Sequence, residues 1–154
     1  MKTESQKPLF RVFVSSTYID LVEYRKAAEK AINDQRQKYE GMEYLGAMDK
    51  EPTKACLDLV EDCNLFIGIY AWRYGHVSDG AEISITELEY QHAKKLDIPC
   101  LCYFVDEDFP WLKKFIETGV AEEKLSGSKA KFPKSMCAPV LKNRCIWKEI
   151  SSVT

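Results

Sequence analysis

The sequence predicts an α/β domain whose parallel sheet is covered by helices on both faces. Strand-like and helix-like segments alternate about five times along its 154 residues, which is the pattern of β-α-β units joined by right-handed crossovers. The segment LFIGIY is apolar throughout, as expected of a strand that is buried on both faces. A chain of this length can form one domain with a substantial core without disulfides or metals.

The first half of the chain supplies three predicted strands and two predicted helices. Residues 10–15, FRVFVS, indicate a buried first strand that ends in a run of hydroxyl side chains. Apolar residues then recur at helical spacing over residues 21–32. Residues 42–47, MEYLGA, predict a weaker second strand. A second helix, with its apolar stripe over residues 56–63, leads into LFIGIY, the third strand.

The second half of the chain continues the same alternation. A loop over residues 71–80 contains the unusual sequence WRYGH, and the next segment, 84–96, has helical periodicity. The apolar run IPCLCYFV at residues 98–105 predicts the fourth strand. Residues 126–139 are rich in Gly, Lys and Pro and indicate a loop, and residues 144–150 predict a last strand.

The ends of the chain suggest how the domain is delimited. Residues 1–8 are polar and are predicted to be a disordered tail, and residues 9–154 are predicted to form a single domain. The chain stops shortly after the last predicted strand, with no closing helix to cover it. We therefore expect this domain to be one module of a longer protein.

Composition argues for a soluble cytoplasmic protein. The formal net charge is −2, so no overall field favours nucleic acid or an anionic membrane. The polar start lacks the apolar stretch of a signal peptide, and no run reaches the roughly 18 apolar residues of a membrane span. The six cysteines are not spaced as zinc ligands, so we expect buried thiols and no metal site: Cys56, Cys63, Cys100, Cys102, Cys137 and Cys145.

Several loops are expected to meet at the carboxyl ends of the strands, where open α/β sheets bind ligands. The sequence contains no P-loop and no GxGxxG motif, so neither of those nucleotide sites is supported. The hydroxyl run after the first strand can hold a phosphate on its backbone N–H groups or can simply cap the next helix. The candidate ligand-binding residues are Ser15, Ser16, Thr17, Tyr18, Arg25, Trp72, Arg73 and Tyr74.

The helix over residues 84–96 carries the candidate catalytic residue. At about 100° per residue, Glu89 falls on the apolar stripe of this helix, whereas Glu87 falls on the opposite side. Burial would raise the pKa of Glu89, and the helix N-terminus and an arginine, Arg25 or Arg73, would lower it. Such a glutamate can act as a general base or stabilise an oxocarbenium-like centre. The alternative is a structural ion pair with an arginine.

Three segments together resemble a known family. FRVFVSSTYIDLVEYRKAAEKAI, LFIGIYAWRYGHV and ISITELEYQHAKK are similar to a TIR-like domain of unknown function, the DUF4062 family. That domain is found mostly at the N-terminus of STAND-type proteins that carry NACHT, WD-repeat or TPR modules. The resemblance covers residues 10–108, roughly two thirds of the chain.

The resemblance implies a flavodoxin-like three-layer sandwich with a five-stranded parallel sheet and a role in defence or signalling. Some TIR domains cleave the nicotinamide–ribose bond of NAD+ with a glutamate on the corresponding helix. Tyr90 and Ala93 after Glu89 fit the TIR pattern, whereas Leu88 and Gln91 after Glu87 fit it less well. The resemblance therefore implies Glu89 as the catalytic carboxylate, with Glu87 as the second choice, and NAD+ as a substrate rather than a tightly bound cofactor.

Two functions remain open at this point, and a third is weaker. The first is a TIR-like effector domain that binds a nucleotide-like ligand and cleaves an N-glycosidic bond. The second is a non-catalytic module that works by protein–protein interaction, through self-association or contacts with other domains of the same protein. The third is an FMN-type redox domain, for which a colourless protein would be contrary evidence.

Overall fold

The computed structural model describes residues 8–45, 51–131 and 137–139. One sheet contains β1 (Arg11–Ser16), β2 (Lys38–Glu40), β3 (Leu65–Tyr70), β4 (Cys100–Phe104) and β5 (Cys137–Pro139). All pairs are parallel, and the order is β2-β1-β3-β4-β5, the order of flavodoxin-like doubly wound sheets. The predicted α/β class with a parallel sheet is confirmed. The strands β1, β3 and β4 form the centre of the sheet, and the three-residue strands β2 and β5 form its two edges.

Helices cover both faces of the sheet. The helices are α1 (Val22–Asp34), α2 (Pro52–Glu61), α3 (Ile85–Lys95) and α4 (Val120–Ala130). On one face, α1 packs on a core that includes Val12, Val14 and Ile67, and on the other α2 and α3 pack on a core that includes Phe13 and Phe66. Alternate residues of β1 and β3 therefore serve opposite cores, because successive side chains of a strand point to opposite faces.

The second strand lies earlier than the sequence indicates. Residues 42–47 were expected to form it, but the strand is Lys38–Glu40, and Met42–Tyr44 form a short 3-10 helix. Gly41 separates the two with an extended backbone, φ −162° and ψ 162°. The apolar run was misleading because Glu43 turns back towards a buried arginine of α1, a tertiary contact that no local periodicity reports.

The last quarter of the sequence also differs from the prediction. Residues 126–139 were expected to be a loop, yet α4 extends to Ala130 and β5 begins at Cys137. The helix buries only Leu125 and Ser128. Its apolar periodicity is therefore too weak to predict a helix in a segment that contains Gly127. The predicted strand at 144–150 lies outside the described residues.

The described part of the chain contains no helix that is both long enough and apolar enough to cross a membrane. The four cysteines whose side chains are described are buried, and none of them forms a disulfide: Cys56, Cys63, Cys100 and Cys102. Burial raises the pKa of Cys56 and Cys63 to about 12, so these thiols are packing groups rather than nucleophiles at neutral pH.

The core of the sheet gives a first test. Phe66 is 0% exposed and stacks on Phe13 with ring centroids 5.9 Å apart. We expect Phe66→Ala to lower the free energy of unfolding by about 3–5 kcal/mol, because it leaves a cavity. Val120→Ala, at a side chain that is 69% exposed, should change it by less than about 0.5 kcal/mol. Denaturant unfolding measures both, and equal effects would contradict the proposed packing.

Candidate active site

A cleft of about 270 Å³ opens at the carboxyl ends of β1 and β3. The chain runs from β1 to the edge strand β2 and then crosses to β3 on the other side of β1. The crevice lies where the strand order changes direction in this way, which is where open α/β sheets usually bind ligands. The loop after β1 contributes residues 16–19, and the loop after β3 contributes Arg73, Gly75 and His76. The first turns of α3 add Ile85, Thr86 and Glu89, and Met42 completes the wall.

Glu89 forms the buried end of this cleft. The residue is 5% exposed, and Ser15 Oγ donates a hydrogen bond to its Oε2 at 2.5 Å. Loss of hydration raises the pKa of Glu89 to about 7, although hydrogen bonds with Ser15 and Cys56 and the charge of Arg25 oppose that rise. The raised pKa brings ionisation of this carboxyl group towards neutral pH, which suits a group that transfers protons.

The alternation of β1 divides its two terminal serines between two networks. Ser15 points to the same face as Phe13, towards α3, and meets Glu89. Ser16 points to the opposite face, towards α1, and its Oγ accepts a hydrogen bond from Arg25 Nη1 at 2.8 Å. Two adjacent residues thus connect the strand end to helices on both sides of the sheet.

Arg25 is the buried cation behind the cleft. Its side chain is 2% exposed, and its Nη2 donates to Glu43 Oε2 at 2.7 Å and to the Tyr39 hydroxyl at 3.2 Å. Although burial disfavours both charges, the hydrogen bond from Arg25 lowers the pKa of Glu43, and the bond to Glu43 raises the pKa of Arg25. This ion pair ties α1, β1, β2 and the 3-10 helix together.

The part of the cleft wall that the β3 loop forms requires a glycine at residue 75. Gly75 has φ +97°, and a Cβ atom there would lie 3.2 Å from both Thr17 Cγ2 and Thr86 Oγ1. A larger residue would thus be strained and would narrow the cleft. The Thr17 Oγ1 atom is buried and has no hydrogen-bond partner among the described residues.

Glu87 occupies a different environment on the same helix. Its carboxylate accepts hydrogen bonds from the Tyr74 hydroxyl at 2.5 Å, from Lys131 Nζ at 2.8 Å and from Gln91 Nε2 at 3.1 Å. Burial opposes ionisation, but these donors together lower the pKa of Glu87. Glu87 is therefore held as a structural anion between α3 and α4 and does not line the cleft.

The cleft brings together some of the predicted ligand-binding residues and not others. Ser16, Thr17, Tyr18 and Arg73 line it, and Ser15 and Arg25 lie directly behind it. Tyr74 does not line it, because its hydroxyl bonds Glu87 and the backbone of Ser84.

The aromatic residue at the start of the β3 loop also lies elsewhere. Trp72 packs on Trp111, with ring centroids 5.2 Å apart, and is not among the residues lining the cleft. Arg73, beside it, is held at the cleft edge by Glu117, whose Oε1 lies 3.4 Å from Arg73 Nε.

Sequence reasoning missed three residues that support the site. Glu43 and Tyr39 neutralise and orient Arg25, and Cys56 contacts Glu89 from α2. The only sequence signal for Cys56 was its place on an apolar stripe, which indicates burial but no partner. Glu43 follows Gly41 in a run interpreted as a strand, so its turn towards α1 had no local signal.

With the geometry established, comparison with known proteins gives a family and a fold. Residues 11–144 match the family described as Domain of unknown function (DUF4062). No curated protein matches the chain. These results agree with the family resemblance seen in the sequence motifs.

Solved structures with similar folds are distant in sequence. The CMP N-glycosidase BcmB of Clostridium botulinum is 15% identical with a TM-score of 0.50, and the match covers 92% of this chain and 98% of that one. A 2-deoxyribosyltransferase of Bacillus psychrosaccharolyticus is 12% identical with a TM-score of 0.49, covering 81% and 93%. At such identities the likeness to BcmB concerns the fold alone.

The raised pKa of Glu89 predicts a pH-dependent stability. Because its pKa moves from the ordinary 4.5 to about 7 on folding, its contribution is complete below pH 4.5 and is lost as the pH rises to about 7. Between pH 4.5 and about 7, we expect the free energy of unfolding of Glu89→Gln to increase by roughly 3 kcal/mol relative to that of the wild type. Denaturant unfolding at a series of pH values measures the difference.

The control for that experiment is Glu87→Gln, for which we expect the difference in stability from the wild type to change with pH in the opposite direction. The pKa of Glu87 is lowered, so its stabilising effect is present at neutral pH and is lost as the pH falls. A stability difference between Glu89→Gln and the wild type that does not change with pH would contradict the buried, raised-pKa carboxyl.

The Arg25–Glu43 pair gives a separate prediction. Removing either partner leaves the other without its counter-ion in a largely buried position, so Arg25→Met and Glu43→Gln should not be additive. We expect a coupling free energy of about 1–3 kcal/mol in a double-mutant cycle. Additivity within about 0.5 kcal/mol would show that the pair does not hold the site together.

Proposed function

The chain belongs to the DUF4062 family, and we propose that this domain binds a nucleoside or nucleotide in the Glu89 cleft and cleaves its N-glycosidic bond. The observation that carries the proposal is Glu89 itself, a carboxyl group 5% exposed, at the switch point of the sheet, with a pKa raised to about 7. A purely structural glutamate would be expected to have an arginine or lysine as a direct partner. The direct hydrogen-bond partners of Glu89 are the side chains of Ser15 and Cys56.

The chemistry follows from the position of that carboxyl group. When the C1′–N bond breaks, its electron pair leaves with the nitrogen and positive charge develops at C1′ and the ring oxygen. Ionised Glu89 stabilises this charge and accepts a proton from the water whose oxygen bonds to C1′. A base that is cationic in the substrate leaves as a neutral molecule and the proton passes from Glu89 to solvent, whereas a base that is neutral in the substrate leaves as an anion and takes up that proton. The hydrogen bond from Ser15 fixes the carboxylate, so little reorganisation is needed during the reaction.

The cleft also contains groups suited to the rest of the ligand. Thr17 and Arg73 line the cleft, and a phosphate of the ligand would bind beside the Arg73 guanidinium, which also contacts Asp20 and Glu117. The fold likeness to a CMP N-glycosidase supports the same class of reaction by analogy. These residues, with Ser16 and Tyr18, make up the proposed ligand-binding set; Ser15 and Arg25 support it from behind.

The finer assignments rest on the resemblance to TIR-like domains. We propose NAD+ as one substrate, with nicotinamide as the leaving group. The proposed setting is a cytoplasmic defence or signalling protein in which the domain self-associates or contacts other domains of the same chain.

The test is release of the free base. The purified domain at high concentration is incubated separately with NAD+ and with CMP, and nicotinamide or cytosine is followed by chromatography. We expect release from at least one substrate, and Glu89→Gln should lower it by roughly 100-fold or more, as expected for loss of a general base. Glu122→Gln, at an exposed position on α4, is the matched control and should keep full activity.

The pH profile separates a catalytic role from a structural one. The rate kcat/KM should rise with pH up to about 7, the pKa of Glu89, because the ionised form reacts. Release that persists in Glu89→Gln would assign the chemistry elsewhere. Absence of release from both substrates, with the fold intact, would favour the non-catalytic interaction module.

A further inference from the structure

The mouth of the Glu89 cleft has an apolar wall. Three large apolar side chains that line the cleft are also exposed to solvent: Tyr18 at 45%, Met42 at 45% and Ile19 at 62%. Glu89, at the buried end, is 5% exposed. Exposed apolar side chains that gather at one place on a protein surface commonly mark a binding site. The wall therefore suits an apolar, flat part of a ligand whose reacting carbon lies at Glu89.

Tyr18 is the aromatic residue of that wall. Its carbonyl accepts a hydrogen bond from the Leu21 N–H at 3.1 Å, just before α1, so the main chain that carries the ring is fixed. Aromatic side chains of this kind bind nucleobases by stacking, whatever the identity of the base. The ribose and phosphate of a nucleotide are polar, so the base is the part that the apolar wall suits.

His76 lines the same cleft from the loop after β3 and is exposed to solvent. Its carbonyl accepts a hydrogen bond from the Ile85 N–H at 2.9 Å. Ile85 and Glu89 are four residues apart on α3 and both line the cleft, so their main chains are about 6 Å apart along the helix axis. The main chain of His76 is thereby held roughly one helical turn from that of Glu89.

A neutral base needs a proton when its bond to the sugar breaks. In the reaction proposed above, ionised Glu89 accepts a proton, so it cannot donate one at that moment. A base that departs as an anion leaves slowly, and a positioned acid removes this obstacle. Imidazole exchanges a proton near neutral pH far more readily than the hydroxyl and guanidinium groups that otherwise line the cleft.

We propose that the mouth of the cleft is the subsite for a neutral nucleobase, in which Tyr18 stacks on the base and His76 protonates it; the proposal rests on the reaction proposed at Glu89. As the C1′–N bond breaks, its electron pair goes to the base, and protonated His76 gives its proton to a nitrogen or carbonyl oxygen of that base. The water oxygen bonds to C1′, and the water proton goes to Glu89. Solvent then carries a proton from Glu89 to His76, so both residues regain their starting states.

Removal of the imidazole should affect neutral and cationic bases differently. We expect His76→Gln to lower the release of cytosine from CMP by about 100-fold, because the base must then leave without a proton. Release of a base that is already cationic should change by less than about threefold, because that base leaves as a neutral molecule. The cationic substrate is NAD+, or N3-methylated CMP if NAD+ is not cleaved. A purely structural role of His76 would lower both rates alike.

The other histidine of the chain is the matched control. The sequence contains two histidines, and His92 Nε2 lies 2.9 Å from Glu61 Oε1, on the side of α3 that meets α2. His92 does not line the cleft. We therefore expect His92→Gln to cleave both substrates at the rates of the wild type.

Binding measurements test the stacking without any turnover. Calorimetry is performed on the whole chain with Glu89→Gln, which keeps the cleft but lacks the proton acceptor. Adding Tyr18→Leu should weaken the binding of CMP by about tenfold, because the aromatic ring is lost. Tyr18→Phe keeps the ring and should leave CMP binding unchanged. Ribose 5-phosphate, which has no base, should bind equally to all three proteins.

Each part of the proposal has a result that would overturn it. Equal losses on CMP and on the cationic substrate, or no loss on either, would exclude proton donation by His76. Unchanged CMP binding in Tyr18→Leu, or an equal weakening of ribose 5-phosphate binding, would exclude stacking.

The reaction at Glu89 has separate outcomes. A wild type that cleaves NAD+ but not CMP would overturn the neutral-base subsite and leave that reaction in place. Release of cytosine that persists in Glu89→Gln would overturn the reaction itself, and no release from either substrate would overturn both.

Discussion

The burial of the Glu89 carboxyl against Ser15 is the constraint around which the site is arranged. A carboxyl group loses its hydration when it is 5% exposed, and a single hydroxyl donor and a thiol do not replace that hydration. The consequence is a pKa raised to about 7. The domain thus keeps a group that can gain or lose a proton near neutral pH at the end of its central strands.

Arg25 is the complementary element on the opposite face of the sheet. Its guanidinium donates hydrogen bonds to Ser16, Tyr39 and Glu43, and its charge acts on Glu89 through the sheet end. Since Ser15 and Ser16 are neighbours in β1, the titratable carboxyl and the fixed cation are separated by one strand. This arrangement keeps the arginine from neutralising Glu89 directly while limiting the rise in its pKa.

The sequence was sufficient for the features that depend on local pattern. Runs rich in apolar residues located β1, β3 and β4, and helical periodicity placed Glu89, but not Glu87, facing the sheet. Features that depend on tertiary contacts could not be predicted from the sequence. The second strand was displaced because Glu43 turns towards Arg25, and α4 was missed because it buries so few side chains.

The site shows the same division between local pattern and tertiary contact. Residues after β1, and Arg73 after β3, could be placed at the cleft from strand ends alone. Trp72 and Tyr74 are in the same β3 loop, but they contact tertiary partners away from the cleft: Trp72 packs on Trp111, and Tyr74 bonds Glu87.

The most direct measurement is titration of the Glu89 side-chain carboxyl by ¹³C NMR in the folded domain, assigned with Glu89→Gln. The account predicts a pKa near 7, well above those of exposed glutamates, and a value near the ordinary 4.5 would contradict it.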